Sequence, residues 1–285
     1  MKLIELKNQF KLALNKAYTT NEIEQIFYAV AENILDKEKK ILRLALNENW
    51  SDFEDKKHFF YHHLNELQKG KPLQYVLKEA YFYGIPFFVD ENVLIPRPET
   101  EELVEWLLHD FKNTNNPINL LDAATGSGCI AITIKKEKSN WGVSGFDVSE
   151  EALKIAKENN FALSTKVNFF NFNLLESDFN ELDGYDIIVS NPPYIKMSEA
   201  DLMNKNTLNY EPHLALFVEN SEPLIFYKKL IELSQLKLKK NGFLYVEINQ
   251  FLAKETELLF KRFFNHVELR KDISNNYRMI KAGNL

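Results

Sequence analysis

Two consecutive prolines, Pro192 and Pro193, end a short apolar run at residues 185–190 that has the length of a buried strand. A proline has no backbone N–H to donate to a neighbouring strand, and it restricts the residue before it to extended conformations. The chain must therefore leave the sheet at the carboxyl end of this strand, which is where open α/β sheets bind their ligands. The segment Asn191-Pro192-Pro193-Tyr194 is thus predicted to be a rigid stretch at a ligand-binding edge.

This segment carries the groups needed to hold a planar amino group. The side-chain oxygen of Asn191 and a proline carbonyl can accept the two hydrogens of an NH2 group, and the ring of Tyr194 can cover its face. The same four residues would also serve as a structural turn without a ligand. The remainder of the chain has to decide between these two interpretations.

The composition of the chain narrows the class of protein. A length of 285 residues suits two domains or one large one, and a hydrophobic content of 45% is enough for a packed core. The net charge of −6 argues against a generally basic surface for nucleic acids. Cys129 is the only cysteine, which excludes an intrachain disulfide, and no apolar run is long enough to span a bilayer. We therefore expect a cytoplasmic protein without a direct nucleic-acid or membrane partner.

Residues 1–71 show the helical period and almost no strand pattern. Thr19 with Glu22 three places later predicts a capping box at the start of one helix, and Ser51 with Glu54 predicts a second. Three histidines follow in the second of these helices: His58, His62 and His63. Without a nearby cysteine or a matching carboxylate, they favour a solvated helix face, and no metal is expected.

Residues 72–98 change to a pattern of β-formers. Aromatic and branched residues lie on both sides of Gly84, which interrupts them. The segment 90–92 is typical of a turn, and Val93-Leu94-Ile95 is predicted to be the second short strand of a hairpin. We interpret this part of the chain as a β-hairpin connector.

Strands and helices alternate through residues 99–285. The predicted strands lie at 118–122, 141–147, 167–172, 185–190, 243–248, 266–269 and 277–280. The predicted helices between them lie at 129–138, 149–160, 222–240 and 251–264. This alternation predicts an α/β fold with a doubly wound, mostly parallel sheet of seven strands.

A loop of small residues at 122–128 joins the first of these strands to its helix, and it lets a ligand approach the backbone. Asp147 ends the next strand, where nucleotide-binding folds place a carboxylate against ribose hydroxyls. The G-x-G-x-x-G spacing of dinucleotide-binding folds and the Gly-Lys-Ser/Thr of a P-loop are both absent. Two interpretations of the loop and Asp147 stay open. Either they bind an adenosine-containing ligand that need not carry phosphate, or they form a tight turn in which Asp147 caps a helix.

Together these motifs resemble the class I S-adenosylmethionine-dependent methyltransferases that act on planar amino groups. Over nearly the whole chain, the sequence is similar to the bacterial peptide chain release factor glutamine methyltransferases. A helical domain, a hairpin and a methyltransferase domain come in the order of that family. The motifs that carry the resemblance are Pro72-Leu73-Gln74-Tyr75, Val93-Leu94-Ile95-Pro96-Arg97-Pro98-Glu99-Thr100-Glu101, Thr125-Gly126-Ser127-Gly128, Asn191-Pro192-Pro193-Tyr194 and Glu211-Pro212.

The resemblance implies methylation of the side-chain nitrogen of the glutamine in the Gly-Gly-Gln motif of release factors, with S-adenosylmethionine as cofactor. It also implies a substrate-recognition domain at 1–71, the connector at 72–98 and a methyltransferase domain at 99–285. The cofactor-binding residues that it implies are Ala124, Thr125, Gly126, Ser127, Gly128, Asp147, Asn173, Leu174 and Asn191. The implied catalytic residues are Asn191, Pro192 and Tyr194, and these three with Pro193 are the implied glutamine-binding residues.

Three residues depart from the family pattern. Ala124 stands where the family usually has glycine, Asn173 where it often has aspartate, and Lys78 where a hairpin glycine is common.

Two other functions stay open at this point. A DNA adenine methyltransferase shares the Pro-Pro motif and the cofactor loop, but it should carry a basic target-recognition segment, whereas the insertion at 195–222 is acidic. A binding module without activity should have a spoiled site, for which Ala124 is the one sign.

Overall fold

The computed structural model describes residues 2–48 and 53–283. The chain divides into two compact units, Met1–Glu79 and Ala80–Leu285. The boundary lies inside the segment assigned to the connector from sequence, so residues 72–79 belong to the first unit and residues 80–98 to the second.

The described part of the first unit is helical. Its helices are α1 (Leu3–Leu14), α2 (Thr20–Leu35), α3 (Lys39–Leu44), α4 (Phe53–Gln68) and α5 (Leu73–Leu77). Their apolar faces share one core that includes Phe10 and Phe27. The capping box of α2 is confirmed, because Thr19 donates its N–H to the Glu22 carboxylate at 2.7 Å and its side chain accepts the Glu22 N–H. The other predicted box begins at Ser51, which lies outside the described residues.

A two-stranded sheet follows α5 and is made of β1 (Glu79–Phe82) and β2 (Ile85–Phe88). Tyr83 and Gly84 turn the chain between the strands with φ of 54° and 72°. Lys78 also takes up the left-handed conformation, with φ of 56°, where it ends α5. Glycine adopts this conformation with less strain than a residue that has a Cβ atom.

The predicted strand at residues 93–95 is wrong. Ile95 donates its N–H to the side chain of Glu211 at 3.3 Å and not to a neighbouring strand. Pro96 follows directly and has no N–H with which to extend a ladder. The hairpin is therefore formed entirely by the residues before position 90.

Strands and helices of the second unit alternate as predicted. The strands are β3 (Asn119–Ala123), β4 (Gly142–Asp147), β5 (Asn168–Asn171), β6 (Tyr185–Ser190), β7 (Ile195–Lys196), β8 (Phe217–Val218), β9 (Leu238–Glu247), β10 (His266–Lys271) and β11 (Tyr277–Gly283). The helices are α6 (Pro98–Asp110), α7 (Cys129–Glu137), α8 (Glu150–Ala162), α9 (Lys205–Tyr210), α10 (His213–Leu216), α11 (Ile225–Lys237) and α12 (Ala253–Phe260). Short 3₁₀ turns lie at Phe179–Glu181, Met197–Leu202 and Gln250–Leu252.

The central sheet has seven strands in the order β10-β11-β9-β6-β3-β4-β5, which confirms the predicted fold. β11 runs antiparallel to both of its neighbours, and the remaining pairings are parallel. Alternate residues of a strand point to opposite faces. Leu120 accordingly packs in a cluster with Trp106, while Leu121 packs in the other cluster with Phe260. Helices thus cover both faces of the sheet.

The strand order reverses at β3, which has β4 on one side and β6 on the other. Ala123 at the end of β3 is paired with Ser190 at the end of β6, and the Ser190 hydroxyl donates to the Ala123 carbonyl at 2.7 Å. Open α/β sheets bind ligands where the strand order reverses. The small-residue loop after β3 and the Asn-Pro-Pro-Tyr segment after β6 therefore start side by side at that edge.

Candidate active site

The loop between β3 and α7 is built from positive φ angles. Ala124, Gly126 and Gly128 have φ of 60°, 55° and 80°. A Cβ atom on Gly128 would come within 2.9 Å of the Phe169 ring, whereas a Cβ on Gly126 would meet nothing within 4 Å. Gly128 is therefore needed for packing of the loop against β5, while Gly126 borders open space on the ligand side.

Asp147 fastens this loop to the end of β4. Its Oδ2 accepts the N–H of Gly126 at 2.9 Å, and its Oδ1 accepts the N–H of Ser149, also at 2.9 Å. Burial raises the pKa of this carboxyl, and the donated hydrogen bonds oppose that rise. The residue predicted to bind ribose thus also holds the cofactor loop and the start of α8 together.

Asp122 supports the loop from behind and is completely buried. Its Oδ2 accepts the hydroxyl of Thr125 at 2.6 Å and the N–H of Ala131 at 3.2 Å, while its Oδ1 has no hydrogen-bond partner among the described residues. Burial raises the pKa of Asp122 to about 7. A carboxyl in this position orders the loop but does not reach the ligand side.

A cleft of about 230 Å³ opens in front of the loop, and we call it the cofactor cavity. It brings together eight of the nine residues predicted to bind the cofactor: Ala124, Thr125, Gly126, Ser127, Asp147, Asn173, Leu174 and Asn191. Gly128 is the exception. It lies at the start of α7 and packs against the ring of Phe169 in β5. Residues that sequence reasoning did not assign to it also line this cavity, among them Phe146, Arg97 and Phe226.

Asn173 forms a local turn at the rim of this cavity. Its Oδ1 accepts the N–H of Leu175 at 3.0 Å, and its own N–H donates to the Ser177 hydroxyl at 3.1 Å. The side-chain oxygen is therefore directed at the backbone, which leaves the NH2 group as the free end of the amide within the described chain.

A second cleft, of about 210 Å³, lies beside the first, and we call it the acceptor cavity. Pro192 and Tyr194 line it, together with Asn204 and Thr207 from the insertion. Asn191 lines both cavities. The two predicted binding regions therefore meet at the side chain of that residue.

Asn191 is held by a chain of hydrogen bonds. Its Nδ2 donates to the Thr100 hydroxyl at 2.9 Å, and Thr100 donates to Glu247 Oε2 at 2.6 Å. The Tyr194 hydroxyl donates to the other Glu247 oxygen at 2.7 Å. Thr100 and Glu247 are both buried, and no described residue donates to Asn191 Oδ1. This oxygen is therefore the free end of the amide.

Burial raises the pKa of the two titratable groups in this hydrogen-bond network, Glu247 and Tyr194. It raises the pKa of Glu247, and the hydrogen bonds from Thr100 and Tyr194 and the charge of Arg278 act in the opposite direction. Burial and the adjacent Glu247 carboxylate raise the pKa of the Tyr194 hydroxyl well above its ordinary value. Tyr194 accordingly remains a protonated donor at neutral pH.

Sequence reasoning gave no role to Thr100 or Glu247. Thr100 lies in the proline-rich motif at the start of α6, and it was noted only as part of the family resemblance. Glu247 is an acidic residue at the end of the apolar strand β9. A buried carboxylate there needs a partner, and this is the signal that could have singled it out.

An ion pair connects the proline-rich motif to the insertion. Arg97 donates from a terminal guanidinium nitrogen to Glu211 Oε1 at 2.6 Å, and the Glu211 side chain is only 2% exposed. Arg97 lines both cavities, and Pro212 next to Glu211 lines the cofactor cavity. The pair therefore fixes two segments that form the walls of the site.

Within the described ranges, no group of three or more metal-ligating side chains lies close enough to hold an ion. His58 and His62 of α4 are exposed, and His63 is half-buried. The same part of the chain contains no helix with the length and apolar character needed to cross a membrane.

The chain is similar in sequence to known methyltransferases. The family model described as "Methyltransferase small domain" matches residues 100–210. A release factor glutamine methyltransferase of Flavobacterium psychrophilum is 44% identical, with 97% of each chain covered. Another, of Bacteroides thetaiotaomicron, is 42% identical over 76% of this chain and 77% of that one.

A solved structure is similar at the level of the fold alone. A methyltransferase from Pyrococcus furiosus aligns with a TM-score of 0.52 and 16% identity, covering 80% of this chain and 97% of the other. The sequence relatives go further, because they are far more similar and one of them is matched along nearly its whole length. On these grounds the chain belongs to the release factor glutamine methyltransferase family.

Proposed function

We propose that this chain transfers a methyl group from S-adenosylmethionine to the side-chain amide nitrogen of the glutamine in the Gly-Gly-Gln motif of peptide chain release factors. The observation that carries the proposal is the position of Asn191, which lines both cavities and keeps its amide oxygen free of any donor among the described residues. The relative from Flavobacterium psychrophilum supports the choice of substrate. Since release factors act in translation, we place the enzyme in the cytoplasm.

The residues of the cofactor cavity fit S-adenosylmethionine. Gly126 borders open space, so a ligand has room against the loop backbone. Each oxygen of Asp147 accepts one backbone N–H and has a further lone pair for a ribose hydroxyl. Phe146, Phe172 and Leu174 supply the apolar surface that an adenine ring requires. Asn173 offers its NH2 group at the same wall.

Positioning is the main task of this site, because an amide nitrogen is a weak nucleophile whose lone pair is delocalised into the carbonyl. S-adenosylmethionine supplies, when bound, a methyl group on a positively charged sulfur. Asn191 Oδ1 and the Pro192 carbonyl accept the two hydrogens of the glutamine amide, which holds the nitrogen and favours positive charge on it. No described residue donates to the Pro192 carbonyl, which leaves it available for this purpose.

The other two residues of the motif, Pro193 and Tyr194, complete the binding site for the glutamine amide. Pro193 is buried and keeps the segment rigid, while Tyr194 lines the acceptor cavity beside Pro192, where its ring covers the face of the amide. Neutral acceptors are sufficient, because the amide proton can leave after the methyl group has been transferred. The proposed mechanism therefore assigns no general base.

We assign protein recognition to the helical region at 1–71, the link to the connector at 72–98, and catalysis to 99–285. The helical residues have a core of their own, and both cavities are lined by residues from position 92 onward. A separate recognition domain suits an enzyme whose substrate is a whole protein.

The experiment that tests the proposed function is methyl transfer from labelled S-adenosylmethionine to a purified release factor, followed by mass-spectrometric mapping. We expect one methyl group on the side-chain nitrogen of the Gly-Gly-Gln glutamine. A release factor with alanine in place of that glutamine is the matched control and should take up no label. Label in duplex DNA, at an adenine amino group, would contradict the proposal in favour of a DNA methyltransferase.

A further inference from the structure

We propose that Thr100 and Glu247 are positioning residues that decide which end of the Asn191 amide faces the methyl acceptor. The inference rests on the proposed function, and it concerns two residues that have no role in the mechanism above, although Thr100 lines the cofactor cavity. They act through the hydrogen bonds from Asn191 Nδ2 to Thr100 and from Thr100 to Glu247, which are 2.9 and 2.6 Å long.

The donors and acceptors in this chain of hydrogen bonds fix the orientation of the Asn191 amide. The charge of Arg278 and the hydrogen bonds from two hydroxyls favour the ionised form of Glu247 against its burial. An ionised carboxylate can only accept, and the two oxygens of Glu247 face the hydroxyls of Thr100 and Tyr194. The single hydroxyl hydrogen of Thr100 is therefore used on Glu247, so that its oxygen can only accept from Asn191. The side chain of Asn191 must turn its NH2 group toward Thr100, and its oxygen then faces the cavities.

The reversed arrangement would not support the reaction. If Asn191 were flipped, its NH2 group would face the NH2 group of the glutamine, and two donors cannot form a hydrogen bond. Asn and Gln amides differ little in shape between their two orientations, so packing alone does not choose between them. The charge on Glu247 supplies the missing preference, through a hydroxyl that can donate only once.

The direct test replaces Thr100 in the full-length chain by valine and, separately, by serine. Valine keeps the shape and removes the hydroxyl, while serine keeps the hydroxyl and removes the methyl group. We expect Thr100→Val to lower the single-turnover rate of release-factor methylation about 10- to 100-fold, with the Kd for S-adenosylmethionine within about threefold. Thr100→Ser should lose at most about threefold in rate, because the hydroxyl of serine restores the same chain of hydrogen bonds.

A role in packing alone predicts the opposite order, because Thr100 is buried and serine leaves a gap where valine does not. Thr256→Val is the matched control, since Thr256 is equally buried and loses one hydrogen bond to the Leu252 carbonyl, but lies in α12 outside both cavities. Its rate should stay near that of the wild-type chain. Thr100→Val and Thr100→Ser proteins that are equally active, or a serine variant that is the slower one, would overturn the inference.

Two further measurements keep the test decisive. In an Asn191→Ala background, Thr100→Val should slow the reaction by less than about threefold more, because Thr100 acts through the missing amide. Glu247→Met removes the acceptor of the Thr100 hydrogen at similar side-chain length, so it should lower the rate as Thr100→Val does, and it decides the matter if the valine variant does not fold. A folded Glu247→Met protein with the wild-type rate contradicts the inference alone, whereas a wild-type chain that does not methylate the release factor contradicts the proposed function as well.

Discussion

The backbone N–H of Gly126 donates to the carboxylate of Asp147 across 2.9 Å, and this contact joins the loop after β3 to the end of β4. The same carboxylate accepts the N–H of Ser149 at the start of α8. One side chain therefore connects three segments of the cofactor cavity. This arrangement links loop order to cofactor affinity.

Asp147→Ala should weaken the binding of S-adenosylmethionine by about 100-fold, because the ribose loses its acceptor and the loop loses its anchor. The affinity of Asp147→Asn should lie between those of the wild-type chain and Asp147→Ala, because the NH2 group of asparagine has to face one of the two backbone N–H donors. Calorimetric titration measures the affinities. Glu150→Ala is the control, as it removes an equal charge from an exposed neighbour. An Asp147→Ala protein with the wild-type Kd would contradict this account of the cavity.

Ala124→Gly should stabilise the protein. Ala124 has φ of 60°, a left-handed conformation that costs a residue with a Cβ about 1–2 kcal/mol, of which the more flexible unfolded glycine chain offsets part. We expect a net gain of about 0.5–1 kcal/mol in the free energy of unfolding, with cofactor affinity changed by less than about tenfold. Ala162→Gly, in the right-handed conformation of α8, should instead destabilise. Thermal unfolding of both variants checks the opposite signs.

Asp122 should make stability fall as the pH rises. Its pKa in the folded state is about 7 and its ordinary value is 3.8, so the folded chain holds the extra proton between these values. The free energy of unfolding therefore decreases from about pH 4 to about pH 7 and then levels off. Asp122→Asn removes the titration and should gain about 2 kcal/mol more over the wild-type chain at pH 8 than at pH 5. If the difference in Tm between the two proteins is the same at pH 5 and at pH 8, the buried carboxyl is not the cause.

A chain that begins at Ala80 tests the role of the helical unit. Both core clusters of the second unit consist of residues from position 82 onward, so we expect this fragment to fold and to bind S-adenosylmethionine within about threefold of the full chain. On a whole release factor, its kcat/KM should fall at least about tenfold, because recognition surface is lost. On a short Gly-Gly-Gln peptide, the two chains should be equally active. An unchanged kcat/KM on the whole factor would refute the assignment.

Much of the fold could be predicted from local pattern. The run at 187–189 is apolar because β6 is buried on both faces, and the prolines after it mark where the chain leaves the sheet. The prediction was wrong at residues 93–95, where Ile95 uses its N–H on Glu211. Three consecutive branched apolar residues give the same sequence pattern whether they form a strand or an extended segment that a distant side chain holds by a hydrogen bond.

The proposed cofactor-binding residues could be predicted because they follow strand ends in the sequence, whereas the residues that hold the Asn191 side chain could not. Thr100 lies 91 positions before Asn191 and 147 before Glu247. Their meeting depends on the packing of α6 beside β9, which no local pattern encodes. Sequence alone could therefore predict the Asn-Pro-Pro-Tyr segment as a candidate binding motif, but not the residues that hydrogen-bond to Asn191 from distant parts of the chain.

The most direct test of the central claim is the single-turnover rate of release-factor methylation by Asn191→Ala, with the Kd for S-adenosylmethionine measured on the same protein. We expect the rate to fall about 10²- to 10³-fold, because one of two preorganised acceptors for the amide is lost. The Kd should change much less, since the loop and Asp147 stay in place. If Asn191→Ala methylates the glutamine at a rate near that of the wild-type chain, the Asn-Pro-Pro-Tyr segment is a structural turn and the proposed mechanism is wrong.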